Sequence, residues 1–284
     1  MKTGITGATG QLGRLVIEKL KGKVDENTIV ALVRNTEKAK DLGVEIREFD
    51  YNKPEKLAES LKGIEQLLLI SGSDLGQRAK QHTNIVNAAK QAGVKWIVYT
   101  SLLHTENTSV SLAEEHLPSE KAIIDSGIPY TILRNGWYTE NHTSSISGVL
   151  AAGAVFGSAG NGKFSSAARA DFAEAAVVVL TGTGHQGKIY ELAGDEPYTL
   201  AEYAAEIARQ TGKNFQYNNL PVSEYAKILQ SFGLPDFIAE AIAGWDVSAS
   251  KGDLFDNSHT LSKLNGRPTT PMSEVVKNAL AALK

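Results

Sequence analysis

The stretch "GITGATGQLGRLVIEKL" sets Gly7, Gly10 and Gly13 in a G-x-x-G-x-x-G spacing between a short apolar run and an amphipathic one. Glycine in these places permits a tight turn, lets backbone amides approach a pyrophosphate, and lets a following helix pack closely on its strand. The helix amino terminus adds the positive end of its dipole. A turn that merely packs is the plainer alternative, but the placement, strand before and helix after, favours a dinucleotide site. About twenty residues past the last glycine, such sites place an acid against the ribose hydroxyls. This chain has Arg34 there, in "ALVRN". Its guanidinium either pairs with a 2′-phosphate, which makes the cofactor NADP(H), or is a solvated strand-end charge. Asp50, in "REFDY", is either a neighbour of the adenine or a turn acid.

Further along, "LLLISGSDLGQR" brings Ser71, Gly72 and Ser73 to the carboxyl end of an apolar run, where small residues allow a ribose and pyrophosphate to lie against the backbone. A plain strand-to-helix turn is the other reading. "VYTSLLH" ends on Ser101, and Lys121 follows in "AEEHLPSEK". Short-chain dehydrogenases combine such a serine with a Tyr-x-x-x-Lys pair, yet the position four residues before Lys121 is Leu117, which donates no proton. Lys121 is then either a ribose-holding residue or a solvated helix charge, and Ser101 either a catalytic hydroxyl or a strand cap. In "LRNGWYTEN", Trp137, Tyr138 and Asn141 offer flat aromatic surface and an amide for a nicotinamide or a flat substrate, unless the aromatics belong to the core. "GSAGNGKFSS" reads as a mobile loop that places Phe164 over the same space, or as simple turn chemistry. The six histidines show no metal-ligand spacing, so no metal is expected. His104 and His116 flank the missing tyrosine and are either proton sources or structural groups.

The elements that must position these residues alternate along the first half. "TIVALVR", "EQLLLI", "KWIVYT" and "YTILR" are nearly all apolar, as strands buried on both faces must be. Helical spacing fills the gaps, as in 78–92, and Gly93 and Gly127 stand where left-handed helix caps are wanted. The pattern predicts an α/β fold, a Rossmann-type doubly wound parallel sheet with a smaller mixed α/β C-terminal substrate lobe. The expected division is an NADP-binding domain over 1–135, with later strands returning to the sheet from 185–195, and a substrate-binding lid over 136–284. A helix should open at Asp171, and another at Thr199, with Glu202 completing its cap.

Composition narrows the function. The chain is 42% hydrophobic and 21% charged with a formal net charge of −3, which gives no pull towards nucleic acid or anionic lipid. There is no cysteine, hence no disulfide, thiolate metal site or thiol nucleophile, and redox chemistry needs a borrowed cofactor. No apolar run reaches the ~18 residues of a membrane span and "MKTGITGATG" holds no apolar targeting core, so a soluble, cytoplasmic monomer or homodimer is expected.

With "TGATGQLG", "LVRN", "SLLH", the tyrosine-free "SEK" and "LRNGWYTEN" in place, the chain resembles the NmrA-like branch of atypical short-chain dehydrogenases. More narrowly it is similar to the bacterial NAD(P)H:quinone oxidoreductases of type 2, over essentially its whole length, including "YELAGD", "GLPD" and "ASKG". The resemblance implies NADPH-dependent, flavin-free reduction of a small-molecule quinone. It carries the phosphate loop onto Gly7, Ala8, Thr9, Gly10, Gln11 and Leu12, and the 2′-phosphate contact onto Arg34. Ribose-side contacts fall on Ser71, Gly72 and Ser73, and the nicotinamide end on Trp137, Tyr138, Thr139, Glu140 and Asn141. Related proteins include triphenylmethane dye reductases and redox sensors that bind the dinucleotide without turning it over. The absent tyrosine argues against carbonyl reduction and is compatible with quinone or dye reduction: hydride addition makes a quinone ring aromatic and yields a phenolate-like product, a weaker base than the alkoxide from a ketone, so less depends on a protein acid.

Overall fold

The computed structural model describes residues 1–283. The chain divides into two compact units. The first comprises Met1–Thr105, Glu114–Asn135 and Arg169–Leu192; the second comprises Glu106–Ala113, Gly136–Ala168 and everything from Ala193 onward.

Seven parallel strands form the sheet of the first unit: β1 (Thr3–Thr6), β2 (Ile29–Val33), β3 (Glu45–Glu48), β4 (Gln66–Leu69), β5 (Trp96–Leu102), β6 (Tyr130–Asn135) and β8 (Lys188–Leu192). Their spatial order is β3-β2-β1-β4-β5-β6-β8, so the winding reverses between β1 and β4. The apolar runs follow from this placement, since β1, β2, β4 and β5 are buried along their whole length and helices cover both faces. The helices are α1 (Gln11–Lys21), α2 (Pro54–Ser60), α3 (Arg78–Ala92), α4 (Ala113–Asp125) and α7 (Arg169–Thr181). Leu67, Leu69, Ile85, Val86, Ile97, Tyr99 and Ile132 form one continuous core of this layer. Gly93 closes α3 at φ +76° and Gly127 follows α4 at φ +75°, both in the left-handed region anticipated for them. Helix α7 opens two residues before Asp171 and, with 182–192, belongs to the first unit, so the return to this unit begins earlier than 185.

The second unit pairs β7 (Ala154–Gly157) with β9 (Gln216–Asn219) in parallel, with Val155 opposite Tyr217. Around this ribbon lie α5 (Thr139–Thr143), α6 (Ile146–Ala152), α8 (Leu200–Thr211), α9 (Val222–Ser231), α10 (Asp236–Ser250), α11 (Thr260–Asn265) and α12 (Met272–Ala281). The cap expected at Thr199 forms in full. Its hydroxyl accepts from the Glu202 amide while the Glu202 carboxylate accepts from the Thr199 amide. No helix among the described residues is long and apolar enough to cross a membrane.

Candidate functional site

Ligands of doubly wound sheets bind outside the carboxyl ends of the strands where the winding reverses. Here that edge is built by the turn after β1 and the turn after β4. In the first turn Gly7 has φ +58°. The Gly10 amide donates to the Gly7 carbonyl at 2.9 Å. A Cβ on Gly13 would stand 2.4 Å from that same carbonyl oxygen, so only glycine lets α1 sit this close to its strand. Helix α1 opens at Gly10 with no side-chain cap and no acid in its first turn, which leaves its leading amides to an external anion. These residues fit the pyrophosphate of a dinucleotide. Arg14 braces the turn from outside, donating to the Thr9 carbonyl at 3.3 Å, to the Lys38 carbonyl at 2.7 Å and to Asp41 at 2.6 Å. The Arg14 hydrogen bond holds the Asp41 carboxyl below the usual carboxylate range. Arg34 lies exposed just past β2, with no ion-pair or hydrogen-bond partner among the described residues.

The second turn is tied down by groups that sequence reading missed. The Ser71 amide donates to the Thr100 hydroxyl at 2.9 Å and the Gly72 amide to His82 Nε2 at 3.1 Å, while Arg78 Nε donates to the Gly72 carbonyl at 2.7 Å. Because Nε2 accepts, the ring proton is on Nδ1, which donates to Ser119 Oγ at 2.9 Å. A polar stripe of Arg78, Gln81 and His82 on the buried side of α3 was the available signal, since polar groups on a core face need partners.

Burial, reinforced by the Arg78 charge, pushes His82 and His116 down to about 3, so both are neutral in the folded protein. His116 Nδ1 lies 2.7 Å from the Tyr99 hydroxyl, deep in the core. Neither ring is a proton source at neutral pH. In the unfolded chain both take up protons near 6.5. Their stabilisation is therefore complete above that value and is lost as pH falls from about 6.5 towards 3, at roughly 1.4 kcal/mol per pH unit for each ring. The urea midpoint should fall between about pH 7 and pH 5, and the fall should shrink in His116→Gln. A midpoint that stays level over that interval would show that the rings charge without penalty.

Ser101 is buried at the end of β5, whereas Lys121 lies on the outer face of α4. Lys121 is 76% exposed and ion-paired with Asp125 at 2.8 Å, and Leu117, on the same outer face of α4, is also exposed. A helix turns about 100° per residue. The i, i+4 pair facing the sheet is accordingly His116 and Glu120, one register earlier. Ser101 Oγ donates to Glu120 at 2.5 Å, and Arg134 holds both Glu120 oxygens at 3.0 and 2.6 Å while reaching Glu191 at 2.9 Å. Ser101 is thus committed to a buried ion network, and Lys121 is corrected to a solvated helix charge. His104 is half-buried at φ 54°, its amide donating to Glu191.

In the second unit, Trp137 and Asn141 line a cavity of about 300 Å³ together with His142, Tyr225, Trp245 and Asp246. The two tryptophan rings meet edge to face, 5.8 Å apart. The Trp137 indole N–H is buried without a partner. Thr139 is fully buried, its amide donating to Ala167. Tyr138 pairs through its backbone with Ala167, and Glu140 lies in the first turn of α5. Phe164 is not a mobile cover. It is 1% exposed, bridged to Tyr198 in antiparallel fashion and packed edge-on against His142, so its ring belongs to the core. Gly157, Gly160 and Gly162 just before it make the segment look like a free loop in sequence, but the backbone bridge to Tyr198 fixes it. No cluster of metal-ligating side chains occurs among the described residues.

A family model described as NAD(P)H-binding matches residues 7–183. Quinone oxidoreductase 2 of Escherichia coli is 53% identical over 277 residues, covering 96% of this chain and 97% of that protein. The crystal structure of an NADPH-dependent quinone oxidoreductase from E. coli complexed with NADPH superposes with a TM-score of 0.95 at 52% identity, over 98% of this chain and 99% of that one. The triphenylmethane reductase of Citrobacter sp. complexed with NADP(H) follows at a TM-score of 0.94 and 40% identity, over 98% and 100% of the two chains. With a glycine turn shaped for a pyrophosphate at the point where the sheet reverses, and a family match spanning more than half of its length, the chain belongs to the NAD(P)H-binding family.

Proposed function

We propose that the protein is an NADPH-dependent quinone oxidoreductase working by direct hydride transfer. The whole-length similarity to the E. coli quinone oxidoreductase carries this reading. Within the turn of Gly7 to Leu12, the amides other than that of Gly10, which the Gly7 carbonyl takes, hold the pyrophosphate, and the unpartnered guanidinium of Arg34 takes the 2′-phosphate. Ser71 to Ser73, held flat by His82 and Arg78, lie along the ribose side. Trp137 and Asn141, in the wall of the second unit's cavity, present aromatic and amide surface to a flat acceptor. Bound NADPH supplies the hydride. The chain contributes apposition and a dry pocket, which supply much of the barrier reduction for two flat rings. Leu117 in place of a tyrosine is compatible with this chemistry, because a quinone delivers a weakly basic phenolate.

Loss of NADPH absorbance with benzoquinones above the free-solution rate is the expected result. Tight NADP(H) binding with no acceptor reduced would point instead to a dinucleotide sensor, and turnover confined to triphenylmethane dyes to a dye reductase. Replacing Arg34 by Glu should raise the Michaelis constant for NADPH by roughly one to two decades, since a charge-assisted contact contributes about 1.5–3 kcal/mol. The constant for NADH should hardly move; equal effects on both would remove the role given to Arg34.

A further inference from the structure

The second unit's cavity is lined by aromatic and aliphatic groups with Asn141, Ser144 and Ser145 among them, and holds a single carboxylate, Asp246 on α10, with no lysine or arginine in its wall. Asp246 is 8% exposed. One of its oxygens accepts from the Ser158 amide at 2.8 Å, and the other has no partner among the described residues. No cation offsets this buried acid, an arrangement that favours the protonated form. Close packing holds the carboxyl in place, because a Cβ added at Gly157 would come 2.7 Å from Asp246 Oδ2 and 2.6 Å from Leu200. Reduction of a quinone to the neutral hydroquinone takes up one proton, and neither Ser101, engaged with Glu120, nor Lys121, ion-paired with Asp125, lines this cavity.

We propose that Asp246 is the acid that protonates the reduced acceptor held in this cavity. The assignment rests on the quinone-reductase reading above. Hydride reaching the quinone carries two electrons and leaves a hydroquinone monoanion. The Asp246 O–H bond then breaks as the phenolic O–H bond forms, giving neutral hydroquinone and the aspartate carboxylate, which regains a proton from water. NADPH is oxidised, the quinone is reduced, and one proton is consumed overall.

The other titratable groups of the wall are unsuited to this step. Burial holds the Tyr203 and Tyr225 hydroxyls well above their ordinary value, which makes them poor donors. Burial pushes His142 down to about 4, and its Nδ1 is engaged with the Tyr198 hydroxyl at 2.8 Å. Tyr217, on β9, lies close enough to feel the Asp246 charge, but its hydroxyl accepts from the Ala159 amide and donates to Asn219. Asp246 is raised to about 6 by burial, opposed only by the Ser158 amide, and so exchanges its proton near neutral pH.

The test compares wild type with Asp246→Asn, which keeps an oxygen for the Ser158 amide. With NADPH and 1,4-benzoquinone, wild-type kcat should decline as pH rises through about 6. In Asp246→Asn, kcat should fall roughly tenfold, less than the ~10²–10⁴ an acid contributes where a more basic alkoxide forms, and lose that dependence. Quinone binding to the cofactor-free protein, read from quenching of tryptophan fluorescence, should be unchanged. In Asp246→Ala, added formate should restore turnover with its own pH dependence, a rescue that a purely structural role does not permit. Wild type that reduces quinone while Asp246→Asn keeps its rate and pH profile would overturn the assignment alone. Wild type that binds NADPH but reduces no quinone would overturn the quinone-reductase reading, and this step with it.

Discussion

Replacing Glu120 by alanine is expected to lower stability by about 3–5 kcal/mol, because it takes from a buried guanidinium the carboxylate that accepts from two of its nitrogens. Arg134 and Glu120 have side chains 7% and 5% exposed and share two hydrogen bonds, so solvent screens this pair far less than any ion pair on the surface. Glu191, 29% exposed and 2.9 Å from the guanidinium, is a more solvated partner than the one lost. In a chain of this size each kcal/mol moves the unfolding temperature by roughly 2–4 °C. Thermal unfolding should therefore show a drop on the order of 10 °C. The double variant Glu120→Leu, Arg134→Met should recover much of it, because removing both charges also removes their desolvation penalty. A loss in the single variant no larger than the ~1 kcal/mol of a surface pair would mean that water reaches the network.

Gly13→Ala should cost about 1–3 kcal/mol by overpacking and weaken dinucleotide binding by at least roughly tenfold. The added methyl would meet the Gly7 carbonyl oxygen at 2.4 Å and Ala8 Cα at 2.7 Å. Both are backbone atoms of the phosphate turn, so no rotamer change relieves the contact and the turn itself must open. Gly22→Ala is the control. That residue sits at φ −77° with its nearest neighbour 3.8 Å from an added Cβ, a site where alanine stabilises by about 0.4–1 kcal/mol through the unfolded chain. Quenching of NADPH fluorescence on titration, with thermal unfolding alongside, separates the two effects. Unchanged binding in Gly13→Ala would mean that the turn does not hold the pyrophosphate.

How far each part of the site could be read depended on whether its signal was local. The glycine turn depends on backbone conformation within seven residues, so spacing alone exposed it. Ser71 to Ser73 were visible as small residues ending an apolar run, but the groups that hold them come from α3 and β5. Among these only the buried polar stripe at 78, 81 and 82 left any trace in the sequence. On α4 the residue four before Lys121 faces solvent, and the inward i, i+4 pair lies one residue earlier. A family template preserves the four-residue spacing, while the face turned to the sheet depends on how α4 packs, and that packing selects His116 and Glu120. Phe164 went wrong because the glycines before it describe local freedom and say nothing of the backbone bridge to Tyr198 that captures it.

The sequence by itself determined the order of strands and helices, the glycine turn at the head of α1, the absence of thiol chemistry and the resemblance that points to quinones. All of these follow from local conformational preference, from the periodicity of burial or from composition. Only the tertiary structure decided which polar groups meet. It took Lys121 out to solvent, committed Ser101 to the Glu120–Arg134 pair and brought Asp246 from α10 into one cavity with Trp137, more than a hundred residues earlier. Side-chain chemistry at long sequence separation depends on packing angles and helix rotation, which no single segment encodes, and the groups that carry charge in this protein are placed by that packing.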